Sequence, residues 1–113
     1  MTQFTYKGNP ISVNHAYSTN RQGRRFLSDK GKQFKEEIGW LAAQESDWYE
    51  NDVTVELHFY FGDKRKRDID NGIKISLDAL TGVMFGDDSQ ITELHVFKRY
   101  DKNNPRIEFV IYE

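Results

Sequence analysis

At 113 residues the chain has length for one domain, residues 1–113, and none for a second core. It contains no cysteine, which excludes disulfides, thiolate zinc sites and thiol nucleophiles together and fits a reducing compartment. The formal net charge of -2 speaks against a uniformly basic nucleic-acid binder, but the charge is segregated: six basic residues against one acid from Arg21 to Lys35, then seven acids and no lysine or arginine from Glu36 to Glu56.

In chain order, Phe4-Thr5-Tyr6 alternates and predicts a short opening strand. Residues 8 to 27 are polar, without a clean period, and read as one long loop of the functional kind. Ser28 is the candidate N-cap of a helix over 29–46, with Phe34, Ile38, Leu41, Ala42 and Glu45 on one face. Val53 to Phe61 alternates with β-branched and aromatic residues and is the most secure strand, closed by Gly62-Asp63. A second helix follows, with Ile69, Ile73, Leu77 and Leu80 on one face and Thr81-Gly82 at its end. Two strands finish the chain, Ile91 to Arg99 and Arg106 to Tyr112, antiparallel and joined by a hairpin-like 101–105 connection. The order β-α-β-α-β-β predicts an α+β domain. No stretch approaches the ~18 apolar residues of a membrane span, and the N-terminus lacks an apolar signal core, so a soluble cytoplasmic protein is expected.

The chemistry concentrates around the second helix. Asp68-Ile69-Asp70-Asn71 precedes it, Lys74 lies in it, and Asp87-Asp88-Ser89-Gln90 follows it, while Lys64-Arg65-Lys66-Arg67 stands immediately upstream. Carboxylates that can hold a hard cation, beside cations that can hold phosphate, are what metal-dependent cleavage of a nucleic-acid backbone requires. Each feature alone has a plainer reading. Asp68 or Asp70 can cap the helix, and Asp70 with Lys74 makes a stabilising i,i+4 pair. A cap needs one acid, however, and Asp87 and Asp88 arrive beyond the helix, after an apolar Val83-Met84-Phe85 run that places them at the edge of a core. The interval Gly82 to Gly86 allows the chain to double back. An EF-hand fails, since from Asp68 the fifth, sixth and twelfth positions are Gly72, Ile73 and Ala79. The histidines are scattered, and no phosphate-cradling glycine loop, HExxH or G-x-S-x-G occurs.

The set Arg67-Asp68-Ile69-Asp70-Asn71-x-x-Lys74, Leu77-Asp78-Ala79-Leu80-Thr81 and Asp87-Asp88-Ser89-Gln90-Ile91 resembles the RusA family of Holliday junction resolvases. Pro10 to Tyr17 and Arg24 to Gly31 are similar to the family's N-terminal segments, so the resemblance spans the chain. It departs at Ile11, where many members have a second proline, and at Gly72 just inside the helix.

The resemblance implies a mixed sheet flanked by two helices, a homodimer, and a Mg²⁺ or Mn²⁺ requirement with no organic cofactor. It also implies metal ligation by Asp68, Asp70 and Asp88, catalysis by these acids with Lys74, and Asp87 in support. Asn14, Tyr17, Arg21, Arg24, Arg25, Lys64, Arg65, Lys66 and Arg67 would contact DNA, the substrate being a four-way junction cut by paired symmetric nicks. The competing readings are a branched-DNA-binding protein that does not cut, a nuclease with another DNA substrate, and a domain whose acids are only caps and salt bridges.

Overall fold

The computed structural model describes residues 1–113, apart from the side chains of Val13 and Asn14. Its elements are β1 (Thr2–Lys7), α1 (Val13–Ala16), β2 (Tyr17–Thr19), β3 (Arg25–Leu27), α2 (Asp29–Gln44), β4 (Val53–Phe61), α3 (Ile73–Leu80), a 3₁₀ turn (Asp88–Gln90), β5 (Ile91–Tyr100) and β6 (Arg106–Tyr112). The α+β reading holds: a four-stranded mixed sheet in the order β1-β6-β4-β5 carries its helices on one face. Among the described residues, no helix is long and apolar enough to cross a membrane.

The strict alternation of β4 organises the core. Its side chains fall on opposite faces at period 2, and Val53, Val55, Leu57, Phe59 and Phe61 are all buried. Ile107, Phe109 and Ile111 of β6 join them, and Phe34, Ile38 and Ala42 of α2 with Ile75, Ala79 and Leu80 of α3 cover that face. Each large side chain so buried contributes roughly 1.5–3 kcal/mol relative to exposure. The opposite face mixes charged with aromatic side chains, Phe97 stacking on His58 and Arg106 lying over Tyr60. There His58 Nε2 lies 2.9 Å from Glu56 Oε1, and Arg106 pairs with both Asp101 and Glu108.

Three expectations need correction. First, β5 and β6 are not neighbours: β4 lies between them, parallel to β5 and antiparallel to β6. The 101–105 connection therefore crosses the end of β4 instead of closing a hairpin. The observed order pairs both sides of β4, the most apolar strand, and leaves β5, with Glu93, Lys98 and Arg99, at the edge such charges suit.

Second, residues 8–27 are not featureless. They hold α1 and a two-stranded ribbon with Tyr17 opposite Leu27, Ser18 opposite Phe26 and Thr19 opposite Arg25. Its tip is closed by the Asn20 carboxamide, which accepts from the N–H groups of Gln22 (3.0 Å) and Arg24 (2.9 Å), with Gly23 left-handed at φ 79°.

Third, α3 starts later than its apolar spacing suggests. Gly72 has φ 84° and ends the preceding turn, so Ile69 falls outside the helix and is 50% exposed. The fully buried positions are Ile75, Ser76, Ala79 and Leu80, with Ile73 and Leu77 only partly covered.

Ser28 does cap α2, its hydroxyl oxygen accepting from Gly31 N–H at 3.0 Å. The same residue ties the helix to α1, since its N–H donates to the Ala16 carbonyl at 2.9 Å. This close approach needs a glycine: a Cβ at Gly31 would lie 2.2 Å from the Ala16 carbonyl oxygen. At Gly39 a Cβ would meet only the Ala79 carbonyl oxygen, at 3.6 Å. Urea unfolding should therefore show Gly31→Ala destabilised by about 2–3 kcal/mol through overpacking. Gly39→Ala should be neutral or stabilised by up to about 1 kcal/mol through helix propensity.

Candidate active site

The site is built along α3 and the two loops at its ends. Beyond β4, the Gly62 N–H is held by Asn9 Oδ1 at 2.9 Å, and the basic run begins. Its four cations divide into two kinds. Arg67 is a strut: its guanidinium lies 4.3 Å from the Phe61 ring and pairs with Asp63 at 2.9 Å, which holds the Asp63 carboxyl below its ordinary range. Lys64 lies over the Tyr100 ring at 5.0 Å. Arg65 and Lys66 are exposed and enter none of the ion pairs among the described residues. With Lys30 and His15 they line an open groove of about 610 Å³ between this loop, the 9–12 segment and the start of α2.

Asp68 and Asp70 occupy the turn before α3 and are exposed. Neither caps the helix. Its N-cap is Gly72, which has no side chain to do so. The ion pairs among the described residues engage Asp63, Asp78, Asp101, Glu56 and Glu108, and none takes up Asp68, Asp70 or Asp88.

Lys74 departs from the expected Asp70 partner. Asp70 precedes the helix, and the lysine instead pairs forward with Asp78, Nζ to Oδ2 at 3.0 Å. That hydrogen bond, followed by the Asp78 charge, raises the Lys74 pKa above its ordinary value, and Tyr17 and Asp88 add in the same direction.

After α3 the chain reverses between Thr81 and Phe85. Gly82, at φ 86°, donates its N–H to the Phe85 carbonyl at 2.7 Å. Met84 and Phe85 are fully buried, and the acids emerge directly beyond them at the edge of the core, as their spacing predicted. Asp87 accepts from the Ser89 hydroxyl at 2.8 Å, and this bond, with the adjacent Asp88 side chain and local N–H groups, lowers its pKa. The side chain of Gln90 reaches back across this turn, a partner that the Asp-x-x-Gln capping spacing could have announced.

Asp68 and Asp70 thus stand before α3 and Asp88 stands after it. Among the described residues, no group of three or more His, Cys, Asp or Glu side chains is close enough to share one ion. The donor chemistry, carboxylate oxygens only, suits a hard divalent cation. Among the described residues the three acids enter no ion pair, but they are not gathered into a finished cage.

The β2–β3 ribbon adds a second basic surface. Arg21, Arg24 and Arg25 are exposed, and Arg25 stacks over Tyr17 at 5.0 Å. Phe26, 48% exposed, is an aromatic that the sequence reading passed over. The side chain of Asn14 lies outside the described residues.

The family model described as "Endodeoxyribonuclease RusA" matches residues 7–112. The crossover junction endodeoxyribonuclease RusA proteins of Enterobacteria phage 82 and of Escherichia coli (strain K12) are each 31% identical over 107 residues, covering 92% of this chain and 88% of the relative. YqaN of Bacillus subtilis (strain 168), itself uncharacterized, is 27% identical over 136 positions, covering 98% and 95%. A family model that matches nearly the whole chain, and relatives 31% identical over most of both lengths, settle the lineage: the chain belongs to the RusA endodeoxyribonucleases.

Proposed function

We propose that this chain is a metal-dependent endodeoxyribonuclease of the cytoplasm that resolves four-way DNA junctions by paired, symmetric phosphodiester hydrolysis. The observation that carries the reading is the set of exposed acids without ion-pair partners at the two ends of α3, with Lys74 between them. Salt-bridged or capping acids would support a structural role instead.

Asp68, Asp70 and Asp88 would hold the cation. Mg²⁺ or Mn²⁺, when bound, supplies Lewis acidity toward phosphate and activation of water at neutral pH. Lys74, like any exposed lysine, carries a proton at neutral pH, and Asp78 raises its pKa further. An exposed i,i+4 pair of this kind is worth only about 0.3–0.5 kcal/mol, so a phosphate competes readily for the ammonium. Lys74 then neutralises charge developing on the phosphoryl oxygens. Arg65 and Lys66, with Arg21, Arg24 and Arg25 of the ribbon, hold flanking phosphates, while Lys64 and Arg67 support the loop as well as adding positive potential. A homodimer would set two such sites against the two symmetry-related strands of a junction. No organic cofactor enters this chemistry.

The deciding experiment is cleavage of a synthetic four-way junction, with linear duplex and single-strand controls, in Mg²⁺ and without it. Symmetric nicks confined to the junction and to the metal are expected. Tight binding without cutting in either Mg²⁺ or Mn²⁺ would move the chain to the class of branched-DNA binders and leave the acids structural. Metal-dependent cutting of the controls as efficient as that of the junction would make it a nuclease with another substrate.

Two substitutions refine the assignment. Asp70→Asn should abolish cutting with junction affinity retained, and Lys74→Ala should lower the single-turnover rate by roughly 10²–10³. Asp70→Asn cutting at the wild-type rate would remove Asp70 from the metal site. Replacing Arg21 and Arg24 together by Ala should reduce the slope of log K against log salt by about 2 at unchanged single-turnover rate once bound. A filter-binding salt series checks this.

A further inference from the structure

We propose that Gln90 is the positioning residue for Asp88, its carboxamide fixing the turn from which this carboxylate reaches a divalent cation. The inference rests on the reading of Asp88 as a metal ligand. A primary carboxamide offers two acceptor sites and two donors, and Gln90 uses all of them. Its Oε1 accepts from the N–H groups of Gly86 (2.9 Å) and Asp87 (3.1 Å). Its Nε2 donates to the carbonyls of Tyr49 (3.0 Å) and Asn51 (2.9 Å). One side chain thus joins the acidic turn to the strand-like segment leading into β4.

That segment is itself anchored. Tyr49 N–H donates to the Met84 carbonyl at 2.8 Å, and the Tyr49 hydroxyl donates to the Ile111 carbonyl on β6 at 3.2 Å and lies 2.6 Å from the Thr2 hydroxyl on β1. On the other side the turn hangs from Met84 and Phe85, both 0% exposed. Asp88 sits inside this clasp, on the exposed side of the chain, between the two N–H groups that Gln90 holds and Gln90 itself. Only an amide can serve. A glutamate at position 90 has no hydrogens for the Tyr49 and Asn51 carbonyls, and an aliphatic side chain offers neither function. Hydrogen-bonded partners that orient a metal ligand typically contribute ten- to a hundred-fold in metal affinity; Gln90 acts one step further out, through the backbone N–H groups of Gly86 and Asp87 that hold the Asp88 turn.

The test is a Mn²⁺ titration followed by the electron paramagnetic resonance of the free ion, on the intact wild-type protein and on Gln90→Met, Gln90→Ala and Asp88→Asn. Junction binding without metal and thermal unfolding are measured in parallel. Gln90→Met keeps the volume and removes every hydrogen bond. The expected result is Mn²⁺ affinity weakened roughly ten- to a hundred-fold in both Gln90 variants, metal-free junction binding unchanged, and cleavage restored toward wild type at high Mn²⁺. A merely structural role would not give that restoration.

Wild-type Mn²⁺ affinity in Gln90→Met, beside a weakened Asp88→Asn, overturns the inference and leaves the metal reading intact. Equal affinity in wild type and Asp88→Asn overturns the metal reading itself. Should neither Gln90 variant fold, amide hydrogen exchange in the wild-type protein decides. Protected Gly86 and Asp87 N–H groups support the clasp, and exchange at the free-peptide rate removes it.

Discussion

Parallel pairing of β4 with β5 is the constraint on which the rest of the site depends. Two parallel neighbours cannot be joined by a tight turn, so the chain must travel back along the sheet between them. Here that return is α3 and its two flanking loops. The crossover places one acidic segment where the chain leaves β4 and another where it enters β5, with a helix of about 12 Å between them. Lys74 lies in the first turn of that helix and pairs with Asp78 one turn further on. The arrangement works because the buried face of α3, Ile75, Ala79 and Leu80, is fixed against a well-packed sheet. The acids ride on a rigid element although they occupy loops themselves.

Around this crossover, charge is distributed according to what each group is free to do. Acids that support structure are paired, as Asp63 with Arg67 and Asp101 with Arg106, and such pairs leave little capacity for a ligand. Cations divide likewise. Arg67 is packed on Phe61, whereas Arg65, Lys66 and the arginines of the ribbon remain available to phosphate. A net charge of -2 is compatible with a DNA partner because the charge is segregated along the chain: acids from Glu36 to Glu56 lie largely on α2 and the segment after it, and the basic residues on the ribbon, the first half of α2 and the 64–67 loop.

Legibility in the sequence followed the range of the interaction. Val53–Phe61 and Arg106–Tyr112 fall at their predicted limits because an alternating apolar pattern is a property of consecutive residues. The Ser28 cap was readable for the same reason, its bond spanning three residues. Ile69 misled: its spacing from Ile73 suits a helix, but Gly72 takes a left-handed conformation beside the Ile11 carbonyl oxygen and the Phe59 ring, groups remote in sequence. The Lys74 partner was ambiguous in principle, since Asp70 and Asp78 are equally spaced from it. Only the helix start selects Asp78.

The sequence by itself determined the α+β class, the segments that alternate or cap, and the identity and order of the acids, lysine and basic runs, because these are encoded in composition and short-range period. Tertiary structure decided which strand became the edge, that residues 17–27 pair as a ribbon, and that the Gln90 carboxamide ties Gly86 and Asp87 to Tyr49 and Asn51 some forty residues earlier. Those outcomes depend on hydrogen-bond partners brought together by the closing of the sheet, and a backbone N–H or carbonyl carries no mark in the sequence of the distant group that will satisfy it.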